Sequence, residues 1–85
     1  MTLPLTGVRV LDLTDGLGES CGRYLADLGA QVTKVEGPGG ARSRRAEPVV
    51  DGVSIPFALR NANKRGIVVD LDDPAGRDRV RELAA

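Results

Sequence analysis

The chain has 85 residues, of which 41% are hydrophobic and 28% are charged, so it is too short for several domains and too apolar for a disordered segment. Twelve basic residues balance twelve acidic ones, and this balance gives no reason to expect nucleic acid or an anionic membrane as a partner. No segment approaches the roughly 20 apolar residues of a membrane span, and residues 1–7 lack the features of a signal peptide. We therefore expect a cytoplasmic protein.

The first predicted unit is a strand, a helix and a second strand. Val8–Leu13 combines β-branched and aliphatic residues with little polarity, which indicates an interior strand of a parallel sheet. The apolar residues that follow it at helical spacing predict a helix that buries one stripe: Cys21, Tyr24, Leu25 and Leu28. Ser20 is the expected N-cap, and Gly29 is the expected left-handed residue after the helix. Gln31–Glu36 is predicted as a second strand, parallel to the first.

The second half of the chain begins with a long loop, residues 37–54, that is rich in Gly, Pro and Arg. Loops of this length are uncommon in compact domains unless they are functional. We predict a short helix over Ile55–Asn61 and a third strand over Gly66–Leu71. A last helix should follow, with Asp73 as its N-cap and Pro74 at its first position.

These elements define an α/β fold, a Rossmann-like βαβ fragment whose parallel sheet has at least three strands. The last helical pattern runs to Ala85 without the Gly, Asn or Pro that ends most helices. We therefore expect residues 1–85 to be the truncated amino-terminal part of a larger domain.

A glycine motif at the first strand-to-helix turn is close to the dinucleotide-binding fingerprint. The glycines of Gly16–Gly22 open the helix, and Glu36 closes the next strand, where the fingerprint has an acid for the ribose. Against this interpretation, Asp15 and Glu19 would flank the pyrophosphate with like charge, and the last glycine falls one position late. The glycines otherwise serve a tight turn and close helix–sheet packing. A fragment of a nicotinamide-binding oxidoreductase stays open as an alternative function.

Other candidate sites are weaker. The chain has no histidine, which excludes Ser-His-Asp chemistry and most zinc sites. Asp70, Asp72 and Asp73 straddle a strand end and a helix cap, so we predict no metal site. Cys21 is the single cysteine, which excludes an internal disulfide, and we predict it as a packing residue. Six basic residues between positions 42 and 65 suit a discrete anionic ligand or a solvated basic loop.

Three segments carry a family resemblance when they are taken together. They are LTGVRVLDLT at residues 5–14, LADLGAQVTKVEGPGG at residues 25–40 and NANKRGIVVDLDDPAGR at residues 61–77. Each is a common α/β sequence by itself, but in this order and at these separations they are specific. The chain resembles the beginning of the family III coenzyme A (CoA) transferases, the group that includes formyl-CoA and carnitine-CoA transferases.

The resemblance implies an enzyme that moves CoA from an acyl-CoA to a free carboxylic acid, with CoA as a substrate and no tightly bound cofactor. In the family an aspartate attacks the thioester and carries CoA as a covalent intermediate. That aspartate is expected beyond residue 85, so we predict no catalytic residue in this chain and expect it to be inactive alone. Asp12, at the end of the first strand, is a false candidate. The full-length family member is expected to be a homodimer.

By the same resemblance, this chain contributes part of the CoA site. The first loop is expected beside CoA and the active site: Asp15, Gly16, Leu17 and Gly18. A second group is expected near the nucleotide end of CoA, where the lysine could meet a phosphate: Asn61, Asn63 and Lys64. Some relatives have an arginine after the second strand that helps to hold the nucleotide. Gly37 stands there in this chain, and Arg42 or Arg44 is the expected substitute.

One departure from the family pattern affects the function. Many relatives have Gly-Pro after the first loop, where this chain has Glu19 and Ser20. The change places a carboxylate near the expected substrate and leaves open the substrate class and the activity of the complete protein. A non-catalytic remnant that pairs with other subunits is a further alternative.

Overall fold

The computed structural model describes residues 2–85. In chain order its elements are β1 (Arg9–Asp12), α1 (Glu19–Asp27), β2 (Gln31–Glu36), a 3-10 helix (Arg42–Arg45), β3 (Val49–Val50), β4 (Val53–Ser54), α2 (Ile55–Arg60), β5 (Arg65–Val68) and α3 (Pro74–Ala84).

The main sheet is parallel and has the strand order β1-β2-β5. This confirms the predicted α/β fold with three parallel strands. The central strand β2 supplies the most buried apolar residue, Val32, which is 1% exposed. The prediction of an interior first strand is wrong for residues 2–85, because β1 pairs on one side only. β1 is also shorter than predicted, since Val8 and Leu13 lie outside it and are 43% and 48% exposed.

The start of α1 differs from the prediction and its end agrees with it. Gly18, with a φ of 93°, is the N-cap in place of Ser20, and no side chain caps the helix. Only glycine adopts this backbone conformation without strain. Gly29 follows the helix with a φ of 106°. A Schellman motif completes the end, with two amide-to-carbonyl bonds: Gly29 to Ala26 and Ala30 to Leu25.

The predicted apolar stripe of α1 is not its buried face. Glu19 and Gly22 are the buried residues of this helix, and Tyr24 is 66% exposed. A Cβ on Gly22 would lie 2.9 Å from Asp12 Oδ2, so the helix approaches β1 through its smallest residue. Tyr24 and Leu28 stay exposed within residues 2–85, while Leu25 is half-buried. Cys21 is exposed, and its prediction as a packing residue is wrong within residues 2–85.

Residues 37–54, predicted as a loop, contain the 3-10 helix and a β3-β4 hairpin. Asp51 and Gly52 have φ values of 51° and 78°, which is typical of a two-residue hairpin turn. Ser54 then caps α2, because its hydroxyl accepts a hydrogen bond from the Phe57 amide at 3.3 Å. The predicted second helix is confirmed.

The last two elements are β5 and α3. β5 is shorter than predicted and begins one residue earlier, at Arg65. α3 begins as predicted, with the Asp73 carboxylate accepting from the Ala75 amide at 3.0 Å. Between α3 and the sheet lies a cavity of about 590 Å³, whose lining includes Leu11 and Ile67. These side chains alternate with residues that face α1, so the cavity lies on the opposite face of the sheet.

The buried apolar core is small and consists of Ala30, Val32, Val35, Ala41 and Val69. The Cα radius of gyration is 13.5 Å, whereas a compact domain of this length has a value of about 12 Å. Many large apolar side chains stay at the surface, including Leu59 at 59% and Val68 at 68% exposure.

None of the helices in residues 2–85 has the length and apolar character to cross a membrane.

Candidate functional site

Charged and polar side chains are buried where α1 packs on the sheet. This buried polar cluster consists of Asp12, Glu19, Lys34, Ser43, Asn61 and Lys64. Buried charges are stable only when they are paired and hydrogen-bonded. The cluster meets this condition with two ion pairs, Asp12–Lys64 and Glu19–Lys34.

Lys64 lies inside the protein, with a side chain that is 1% exposed. Its ammonium donates to Asp12 Oδ2 at 2.6 Å, to the Glu19 carbonyl at 2.8 Å and to Asn61 Oδ1 at 2.8 Å. All three of its donors are therefore used. Asp12 Oδ1 accepts from the amide and hydroxyl of Thr14. Burial would raise the pKa of Asp12, but the hydrogen bonds from Lys64 and Thr14 outweigh it and hold that pKa below its ordinary value.

Glu19 is fully buried and joins three parts of the chain. Its Oε2 lies 2.7 Å from Lys34 Nζ and accepts from Ser43 Oγ at 2.8 Å and Asn61 Nδ2 at 3.1 Å. Burial would raise the pKa of Glu19, and the hydrogen bonds from Lys34, Ser43 and Asn61 lower it below the ordinary value. Its Oε1 has no hydrogen-bond partner among residues 2–85. The carboxylate that the sequence placed near substrate is turned into the interior.

A cleft of about 490 Å³ opens beside this cluster. This arginine cleft is lined by Asp15, Gly16, Arg42, Ser43, Ala46 and Arg60. The Asp15 carboxylate fixes the backbone of Arg42 and Ser43 on one side of the cleft. Its Oδ2 accepts from the Arg42 amide at 2.8 Å, and its Oδ1 accepts from the Ser43 amide at 3.0 Å. The bond from the Arg42 amide is the main reason that the pKa of Asp15 lies below its ordinary value. The structure thus brings together three of the predicted site residues: Asp15, Gly16 and Arg42.

Arg44 is bound within the chain. Its Nε and NH2 atoms donate to the two oxygens of Glu36, both at 2.6 Å, and its guanidinium carbon lies 4.3 Å from the centre of the Phe57 ring. Glu36 also accepts from the Ala41 amide at 2.7 Å. These hydrogen bonds lower the pKa of Glu36, and the bond from Arg44 has the largest effect. Glu36 is thus unavailable as the ribose acid of a dinucleotide site.

The remaining predicted site residues lie at different places. Leu17 is 97% exposed on the first loop, and Gly18 is the N-cap of α1. Asn63 has a φ of 67°, which asparagine tolerates, and its side chain donates to Asp27 at the far end of α1. Asn61 and Lys64 belong to the buried polar cluster. Within residues 2–85 no group of three or more acidic or cysteine side chains is arranged to hold a metal ion.

The sequence reasoning did not single out Lys34 or Ser43, and it included Arg60 only among the six basic residues suited to an anionic ligand. Lys34 carried a usable signal, because a lysine on an inward position of a central strand needs an acidic partner. Its partner Glu19 could not be chosen from the sequence, since that choice depends on how α1 sits on the sheet. Ser43 meets Glu19 across 24 residues, and no local pattern marks such a contact.

The similarity of the chain to known proteins identifies its family. A family model described as CoA-transferase family III matches residues 5–85. This chain belongs to CoA-transferase family III. It is 48% identical over 80 residues to the probable CoA-transferase Rv1866 of Mycobacterium tuberculosis, covering 89% of the chain and 10% of that protein. It is 47% identical over 85 residues to the succinyl-CoA:glutarate CoA-transferase of Mus musculus, covering 96% of the chain and 20% of the relative.

A solved structure supports the same conclusion for this family III chain. The CAIB/BAIF family protein of Brucella suis superposes with a TM-score of 0.87 at 38% identity, covering 98% of the chain and 24% of that structure. The resemblance found in the sequence is confirmed. The chain spans from a tenth to about a quarter of the length of these three proteins.

Proposed function

We propose that this chain is the amino-terminal segment of a longer CoA-transferase, which we call the parent transferase. The parent transferase moves CoA from an acyl-CoA to a free carboxylic acid through an aspartyl intermediate, and its nucleophile is not among residues 1–85. The chain alone is then inactive. The observation that carries this proposal is the family match over residues 5–85, joined to the small share of the relatives that the chain covers.

The bonding of the two aspartates beside α1 supports a nucleophile elsewhere. A nucleophilic carboxylate needs an oxygen that can face the thioester. Asp12 is 5% exposed, and both of its oxygens accept hydrogen bonds from Thr14 or Lys64. Both oxygens of Asp15 accept backbone amides. Asp12 is therefore enclosed within the chain, and Asp15 is engaged in holding the backbone of Arg42 and Ser43.

The chain supplies one wall of the CoA site in this proposal. The first loop, Asp15–Gly18, and Arg42 would contact CoA, and Arg42 is favoured over Arg44 because Arg44 is held by Glu36. Contacts from Asn61, Asn63 and Lys64 to the nucleotide stay predictions. A Lys64–phosphate contact would require Lys64 to give up one of its three internal bonds. The parent transferase is further proposed to be a cytoplasmic homodimer, and light scattering would measure its mass in solution.

A chimera tests the function. Residues 1–85 replace the matching segment of the Mus musculus succinyl-CoA:glutarate enzyme, and CoA transfer from succinyl-CoA to glutarate is followed. We expect a folded chimera to transfer CoA. We also expect that added hydroxylamine traps its aspartyl thioester. The 85-residue chain alone should show neither reaction. A folded chimera without transfer, or an active isolated chain, would contradict the proposal. Retention of the chain on an NAD resin but not on a CoA resin would favour the oxidoreductase alternative.

The exposed apolar surface favours a second candidate, a non-catalytic module that pairs with other subunits. Large apolar side chains such as Leu59 and Val68 are uncovered in residues 2–85, and such side chains can pack against a partner where they lie together. Detection of the cellular product by size separates the two candidates. A stable species of 85 residues in complex with other subunits would support the module, and a product of the relatives' length would support the parent transferase.

A further inference from the structure

Two of the six basic residues between positions 42 and 65 are held in ion pairs within the described residues. Arg44 is paired with Glu36, and Lys64 is paired with Asp12. Arg65 lines the cavity on the other face of the sheet. Arg42 and Arg60 both line the arginine cleft, and neither forms an ion pair with an acid of residues 2–85.

The backbones under these two arginines are anchored to one buried carboxylate. Ser43, which follows Arg42, donates its hydroxyl to Glu19 Oε2. Asn61, which follows Arg60, donates its side-chain amide to the same oxygen. Glu19 therefore fixes the spacing of two segments that are distant in sequence.

The charge of the cleft is suited to an anion. Asp15 is the only acid among the lining residues within positions 2–85, and both oxygens of Asp15 already accept backbone amides. Two guanidinium groups against one carboxylate leave the cleft with a formal excess of one positive charge. Guanidinium is planar and stays charged at any ordinary pH, and it binds carboxylate and phosphate oxygens in pairs.

We infer that the arginine cleft is an oxyanion subsite in which Arg42 and Arg60 together hold one anionic group of a substrate. This inference rests on the proposed CoA transfer and adds Arg60, together with the chemistry of the bound group. The group is either a phosphate of CoA or a second carboxylate on the acid substrate. Both sources present the same oxyanion chemistry to the arginines.

Steady-state kinetics of the parent transferase distinguish the sources. KM and kcat are measured for wild type and for three variants: Arg42→Ala, Arg60→Ala and the double variant. The thioester donors compared are those of CoA and of 3′-dephospho-CoA. The acceptors compared are succinate and butyrate. Arg45→Ala is the matched control, because Arg45 lies on the same 3-10 helix, is exposed, and is outside the cleft lining. Thermal unfolding checks that each variant is folded, and Arg→Lys variants retain the charge without the fork.

We expect each cleft variant to raise KM roughly 10- to 100-fold for one substrate, with kcat little changed, since hydrogen bonds to charged groups are worth about 1.5–3 kcal/mol. A KM increase seen with CoA thioesters but not with dephospho-CoA thioesters identifies the 3′-phosphate, and an equal increase with both thioesters identifies the diphosphate. A KM increase seen with succinate but not with butyrate identifies a carboxylate. Values equal to those of Arg45→Ala for both substrate pairs would overturn the inference while CoA transfer itself stands.

A parent protein without transferase activity would refute the proposed function but would still test the subsite. Calorimetric titration with CoA and with succinate then replaces kinetics. Tighter binding to wild type than to the Arg42→Ala/Arg60→Ala double variant would support the subsite, and equal binding would overturn it.

Discussion

Replacing Lys64 with methionine removes the cation at the centre of the buried polar cluster. The side chains of Lys64 and Asp12 are 1% and 3% exposed, and removing one partner of a buried pair costs about 3–5 kcal/mol. We take about 3 kcal/mol, because Asp12 keeps its bonds from Thr14. A domain of this length loses about 4–8 °C in Tm per kcal/mol, so we expect Tm to fall by about 12–24 °C.

Thermal unfolding by circular dichroism measures this loss in the isolated chain, and the same free energy gives a smaller fall in Tm in the longer parent transferase. The matched control is Arg65→Met, which changes the exposed neighbour of Lys64. The Asp12→Asn/Lys64→Met double variant removes the orphaned carboxylate, so we expect it to recover part of the lost stability.

An unchanged Tm in Lys64→Met would contradict a structural role for Lys64. If Lys64→Met unfolds at the same temperature as Arg65→Met while KM for acyl-CoA rises tenfold, Lys64 faces the ligand and does not support the fold. A large fall in Tm with an unchanged KM in the fraction that stays folded would confirm a structural role.

Three further results are expected. Gly22→Val should destabilise the fold by about 2 kcal/mol, because a Cβ there would meet Asp12. The control Cys21→Val, on the exposed side of α1, should change the free energy of unfolding by no more than about 0.5 kcal/mol. Equal unfolding midpoints of the two variants in urea would contradict this orientation of the helix. Stability should fall as pH drops below about 4.5, because the pKa values of Asp12, Glu19 and Glu36 are lowered in the folded state and the unfolded state then binds more protons. Urea unfolding between pH 7 and 3 measures this dependence, Glu36→Gln should reduce it, and a flat profile would contradict the pairing. The isolated chain should bind the dye ANS more strongly than the parent transferase, and equal dye fluorescence would contradict the idea that other residues cover its apolar surface.

Local features of this fold could be predicted because they depend on residues close in sequence. Gly29 ends α1, and Asp73 with Pro74 starts α3, since capping uses amides and carbonyls a few positions away. The parallel order of β1 and β2 follows from the helical crossover between them. Ser20 was a wrong N-cap because the positive φ of Gly18 starts the helix without any side-chain bond.

Features that depend on packing could not be predicted. Helical spacing identifies an apolar stripe, but it does not say which face meets the sheet, and Gly22 decides that here. The internal partner of Lys64 could not be predicted either, because a lysine in a basic segment carries no local sign of burial. Its partner Asp12 is 52 residues away, and only the fold brings the two together.

The Glu19–Ser20 departure from the family pattern has a structural explanation in this chain. A proline at a helix start fixes one φ angle through its ring. Here the start of α1 is fixed by Gly18 and by the pairing of Glu19 with Lys34 on β2. Within residues 2–85 Glu19 and Lys34 neutralise each other in the interior, so the glutamate adds no unpaired buried charge. The carboxylate therefore lies in the interior and is not among the residues that line the arginine cleft within residues 2–85.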